Sequence, residues 1–92
     1  MPTLIIPTPL RKFTNGKSIF NAPAANVNEL LKALSNSYEG IHKHLFDDAG
    51  ELRSFIRVYL GDEDINELEG TATKLDEKDE VSIIPAIAGG SN

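Results

Sequence analysis

Asn26-Val27-Asn28-Glu29-Leu30-Leu31-Lys32-Ala33-Leu34-Ser35-Asn36-Ser37-Tyr38-Glu39-Gly40 decides the fold, because it is the best helix in a chain otherwise patterned for strands. Val27, Leu30, Leu31 and Leu34 recur at the spacing of one helical face, and Tyr38 extends the stripe. Asn26 is a good N-cap, and Glu29 three residues on completes a capping-box-like pattern. Gly40 is expected to supply the left-handed C-terminal stop. An apolar stripe this regular reads as core packing.

Before this helix, Thr3-Leu4-Ile5-Ile6 is a short β-prone run. Pro7 and Pro9 lack amide donors, so pairing ends there or lies at an edge. Asn15-Gly16 is a strong turn signal, because both residues tolerate positive φ. Lys17 to Ala22 then reads as a returning strand, giving a hairpin with a long loop from Pro7 to Gly16, closed by Pro23.

After the helix, Ile41 to Phe46 reads as a further half-turn under the core, and Asp47-Asp48-Ala49-Gly50 as a turn. Leu52 to Leu60 is the longest strand candidate. Ser54, Ile56, Val58 and Leu60 fall on one face, which suits the core; Arg53, Phe55, Arg57 and Tyr59 fall on the other. That second face mixes aromatic and basic groups, as a surface covered by another protein does. Gly61 to Asp64 reads as a turn, Ile65 as the start of a short partner strand, and Gly70 to Thr73 as loop. Leu75 anchors a connection, and Val81 to Pro85 is the last strand. The order is strand, strand, helix, strand, short strand, strand. Two ββ units around one helix predict an α+β domain of the β-grasp plan, a mixed sheet of four to five strands packed on one main helix. Residues 1–85 would form this domain and residues 86–92 a tail of small residues.

Composition narrows the function. A chain of 92 residues is one domain's worth, able to bury roughly 60% of the surface its unfolded form exposes. With 40% hydrophobic and 25% charged residues it is a globular mixture. It has no Cys, which excludes a disulfide scaffold, a zinc finger and a Cys nucleophile. The net charge of -5 argues against nucleic acid or an anionic membrane as partner, and allows docking to a basic groove on another protein. Met1 to Leu10 lacks the basic start of a signal peptide and is broken by Pro7 and Pro9. No apolar run approaches the ~20 residues that span a bilayer. A cytoplasmic protein is expected.

Few residues suggest catalysis. His42 and His44 lie near Asp47 and Asp48, but their spacing does not put both imidazoles on one helix face, and no metal site is expected. Asp62-Glu63-Asp64 and Asp76 to Glu80 lack the spacing of a calcium loop. No nucleophile elbow or phosphate-binding glycine loop is present. An enzyme acting alone is not expected.

The ending is the most informative stretch. Asp79-Glu80-Val81-Ser82-Ile83-Ile84-Pro85-Ala86-Ile87-Ala88-Gly89-Gly90 resembles the close of the ubiquitin-like sulfur carriers: a final strand, a Pro, a few small residues and Gly-Gly. That family includes the small subunit of molybdopterin synthase and the carriers for thiazole and cysteine synthesis. Leu4 to Arg11, Arg53 to Leu60 and Asp62 to Ile65 are similar to the cysteine-synthesis branch in particular. Three departures stand out. Ser91 and Asn92 follow Gly90, whereas the family's active form ends at the second glycine; Lys78 stands where many relatives have Gly; Gly61 stands where cysteine-synthesis carriers more often have Asn.

The resemblance implies a mechanism. An adenylating enzyme uses ATP on the Gly90 carboxylate, and sulfur then replaces the adenylate to give a thiocarboxylate. A second enzyme, such as a cysteine synthase-like protein, accepts that sulfur. The chain itself binds no cofactor. Gly89 and Gly90 lack a Cβ and can thread a narrow channel. Ala86 and Ala88 keep the approach slim, and Ile87 can fill a small apolar pocket. Cleavage between Gly90 and Ser91 must come first, and a JAB-type metalloprotease is the family-style agent. Phe55, Arg57, Tyr59 and Ile84, on the outer sheet face, are the candidate docking residues. Other acceptors (molybdopterin, thiazole, homocysteine, a thio-metabolite) stay open. So do two other roles: a ubiquitin-like modifier joined to lysines through Gly90, and a plain interaction domain.

Overall fold

The computed structural model describes residues 1–85. Strand β1 is Thr3–Ile5, β2 is Ile19–Asn21, β3 is Ile56–Leu60, β4 is Glu63–Asp64 and β5 is Glu80–Pro85. Two helices, α1 (Val27–Ser37) and α2 (Glu39–Leu45), lie between β2 and β3. The strands form one five-stranded sheet in the order β2-β1-β5-β3-β4. β1 and β5 run parallel at its middle, and every other pairing is antiparallel. This is the β-grasp architecture expected from the order of elements.

Period-two patterning places one sheet face in the core. Leu4, Val81, Ile83, Ile56 and Val58 are buried there. Val27, Leu30, Leu31 and Leu34 of α1 are fully buried against them, joined by Ile41 and Leu45 of α2. The α1 cap forms as the residues dictate. Asn26 Oδ1 accepts from the Glu29 amide at 2.8 Å. The returning bond slips by one residue: Glu29 Oε1 accepts from the Ala25 amide at 2.9 Å. The Val27 amide, another orphan of the first turn, donates to the Thr73 carbonyl at 3.0 Å.

Several expectations are corrected. Gly40 is not a helix stop: α1 ends at Ser37, and Gly40 lies inside α2 without positive φ. The break falls at Tyr38, with φ -135° and ψ 84°. Its ring meets Phe20 edge-on at 6.3 Å between centroids. Ile41 and Leu45, four apart, then give the chain a second apolar face, and a whole helix forms where a half-turn was expected. The loop from Pro7 to Gly16 contains a 3-10 helix at Thr8–Phe13, which Pro9 in its first turn favours and which buries Leu10. The expected β3 loses its first four residues, because Leu52 bridges back to Phe46 instead. β2 is likewise confined to Ile19–Asn21. Ile65 is buried in a 3-10 turn capped by Asp64, so the short partner strand is the pair before it. Gly70–Ala72 is likewise a 3-10 turn rather than open loop.

Among the described residues no helix is long and apolar enough to cross a membrane.

Candidate functional site

The last strand places the site. β5 is held on one side by β1 and on the other by β3. Val81 and Ile83 point into the core, while Glu80, Ser82 and Ile84 alternate onto the outer face. Pro85, paired with Ile56, is the last described residue. The chain therefore leaves toward Gly90 from the middle of the sheet, beside the start of β3. Ala86, Ile87, Ala88, Gly89, Gly90 and Ser91, the expected threading, activation and processing residues, lie outside the described residues.

The outer face unites three of the four expected docking residues. Arg57 stands opposite Ile84, and Tyr59 opposite Ser82. Ser82 is also opposite Ile5, and Ile5 opposite Ile19. Directly opposed side chains have Cβ atoms about 4.5–5.5 Å apart. Ile19, Ile5, Ser82 and Tyr59 thus form one row across four strands, with Ile84 and Arg57 in the next. Ile19 is 53% exposed and Ile84 46%. Arg57 Nη1 lies 3.6 Å from Asp64 Oδ2 of β4, at the sheet edge. The Arg57 side chain is half exposed and that of Asp64 only 15% exposed, so solvent still screens the pair from the Arg57 side and it contributes on the order of 1 kcal/mol or less. Ile5, Ile19 and Ser82 were not among the expected residues. The Thr3/Ile5 and Leu4/Ile6 alternation carried half of that signal, and the pairing of β1 with β5 supplies the rest.

Phe55 is not part of this row. It precedes β3 and is 43% exposed at a groove shared with Leu10, Phe13, His44, Ile56 and Pro85. The sequence placed Phe55 by extending strand alternation into a segment that turns instead. The groove holds about 230 Å³. In it the Phe13 and His44 rings stack at 4.2 Å between centroids. Burial, and then the charges of Lys43, Lys12 and Arg53, hold the His44 imidazole below its ordinary 6.5, so it is neutral at pH 7. His42 lies against the Phe46 ring at 5.1 Å.

Residues 4–90 match the ThiS family, a span that includes the Gly89-Gly90 pair. The sulfur carrier protein CysO of Mycobacterium tuberculosis is 37% identical over 90 residues, which are 96% of this chain and 97% of that protein. Small archaeal modifier protein 3 of Haloferax volcanii is 36% identical over 66 residues, covering 72% of this chain and 71% of that protein. A chain in the crystal structure of the Amycolatopsis orientalis BexX/CysO complex superposes with a TM-score of 0.88 at 34% identity, covering 98% of this chain and all 100% of that one. The Gly89-Gly90 pair, a β-grasp sheet with β5 at its centre and these similarities agree: the chain belongs to the ThiS family of ubiquitin-like sulfur carriers.

Proposed function

We propose that this protein is a sulfur carrier of cysteine biosynthesis, a co-substrate whose reactive group is the carboxyl of Gly90. The observation that carries this reading is the similarity to CysO along nearly the whole of both chains, with the family match running through Gly90. The chemistry needs a free carboxylate, so the Gly90–Ser91 peptide bond is hydrolysed first, by a JAB-type metalloprotease. An adenylating enzyme then joins the carboxylate to AMP from ATP, releasing pyrophosphate. A sulfide-equivalent donor attacks the acyl carbon and AMP leaves, giving the thiocarboxylate. An acceptor enzyme of the cysteine synthase type takes the sulfur. That a relative is known in complex with another protein, BexX, supports a role exercised through partners. Gly89 and Gly90 serve because a backbone without Cβ threads where side chains clash, and the outer sheet face docks the enzyme.

Intact mass spectrometry of untagged protein from its own host tests this. The expected species ends at Gly90 and is heavier than the free acid by the difference between sulfur and oxygen. A chain that keeps Asn92 while sulfur is in demand rules the mechanism out. Incubated with the adenylating enzyme and ATP, the uncut chain is expected to form no adenylate.

The similarity to a small archaeal modifier protein favours a second reading, in which activated Gly90 forms an isopeptide bond with a lysine of a target. The early steps are shared. A lasting conjugate carrying this chain on another protein's lysine, found in host cells by peptide mass spectrometry, selects the modifier.

A further inference from the structure

The groove beside Pro85 lies apart from the Ile19–Tyr59 row: none of Ile5, Ile19, Tyr59 or Ile84 lines it. Its lining is mostly apolar: Leu10 and Ile56 are buried, and Phe13 and Phe55 line it with them. Phe55 keeps 43% of its surface in water there, so a partner that covers it gains apolar burial. At about 230 Å³ the groove is smaller than the roughly 300–1,000 Å³ of small-molecule sites. It fits one or two side chains.

Its charge runs against that of the molecule. The chain carries -5 overall. Lys12 lines the groove, and no carboxylate does among the described residues. Lys12 Nζ stands 5.3 Å from the Phe13 ring centroid. Lys43 and Arg53 are also close enough to act on His44. Arg53 is held in place, its Nε donating to the Lys43 carbonyl at 2.7 Å. An apolar floor under a cationic rim is complementary to an apolar side chain carried beside a carboxylate.

Position says which protein brings it. Gly90 lies five positions after Pro85, and an extended chain covers at most about 18 Å in five steps. Any enzyme that grips the Gly90 carboxyl has surface within that distance of the groove. The geometry points to this groove as a second docking site, taking an apolar side chain flanked by Asp or Glu on the adenylating enzyme that acts on Gly90. It rests on the carrier reading for the identity of that enzyme. Docking here, together with the outer face, grips the carrier on both sides of the departing chain.

The test is biolayer interferometry of the full chain, and of the form cut after Gly90, against the host's purified adenylating enzyme. Phe55→Ala and the double charge reversal Lys12→Glu/Lys43→Glu are each expected to weaken binding on the order of tenfold, the scale of a hot-spot residue. The loss from charge reversal should shrink as salt is raised. Unchanged thermal midpoints exclude unfolding as the cause. If the wild type binds and Phe55→Ala binds equally well, the groove is not a docking site, while the carrier reading stands. If Phe55→Ala weakens binding and the charge reversal does not, the carboxylate partner is wrong. If neither wild-type form binds, the groove proposal and the carrier reading fall together.

Discussion

Single residues hold this small domain to its shape through bonds that composition does not reveal. Thr14 is fully buried, and its hydroxyl reaches the Arg11 carbonyl at 3.2 Å and the Lys17 carbonyl at 2.9 Å. It clamps the Asn15-Gly16 turn, where φ is 57° and 82°. Thr14→Val keeps the shape and removes the donor, so it should cost about 1–3 kcal/mol, read as a lower urea midpoint at unchanged slope. A midpoint equal to wild type would mean that the Lys17 carbonyl finds another partner. His44 gives a second prediction. Burial first, then Lys43, Lys12 and Arg53, lower its folded pKa below 6.5. Between that lowered value and 6.5 the unfolded chain binds more protons than the folded one, so stability rises with pH across this window and is lost as pH falls through it. On acidification from pH 7.5 to 5.5 the wild-type thermal midpoint should fall further than that of His44→Gln; parallel curves would clear His44 of this role. At this scale the Asn15-Gly16 turn was legible, because its cause is local. The duties of Thr14 and His44 were not, because both depend on what packs over them.

Elements were legible where local chemistry decides them. The Val27 to Leu34 stripe and the Asn26 cap announce α1, and both form. Asn26→Ala removes the bond to the Glu29 amide and should cost about 1 kcal/mol, within the usual 0.5–2 for such caps. Chemical denaturation checks this, and Asn26→Asp, which keeps the acceptor, should restore most of the loss. The end of α1 was misread because Gly is only a permissive stop. The helix breaks at Tyr38, whose ring packs edge-on against Phe20, a contact between elements far apart in sequence. The same limit shortened β3. Alternation continues through Arg53, Ser54 and Phe55, but the Phe46–Leu52 bridge bends the chain away before a strand can form. With that bend, Phe55 moved from the expected outer face to the groove by Pro85.

The whole molecule divides between a core that fixes β5 and an outer sheet face that stays open to solvent. Strand order creates this surface. Ile5 and Ile19 look like ordinary strand residues until β1 is placed between β2 and β5, which aligns them with Ser82 and Tyr59. No pairing rule readable from one sequence specifies that order, so the extent of the patch was hidden although Tyr59, Arg57 and Ile84 were visible in it. Its exposure makes it separable from stability. Ile84 is 46% exposed, so Ile84→Ser gives up about half the burial of an Ile, on the order of 1 kcal/mol, and should lower the thermal midpoint by about 4–8 °C while leaving the domain folded. The same change removes apolar area at the centre of the proposed contact, next to the strand end from which the chain departs. Tyr59→Ala acts one row away and keeps Val58 and Leu60 in the core. Both variants, cut after Gly90, should slow ATP–pyrophosphate exchange by the adenylating enzyme, on the order of tenfold when the truncated side chain is a hot spot. The defect should lie in the carrier concentration needed for half-maximal exchange, because the reacting carboxyl is untouched. A defect in the maximal rate alone would place the patch in positioning rather than docking. Full activity of the double variant would remove the outer face from the contact and leave the groove beside Pro85 as the surface to pursue.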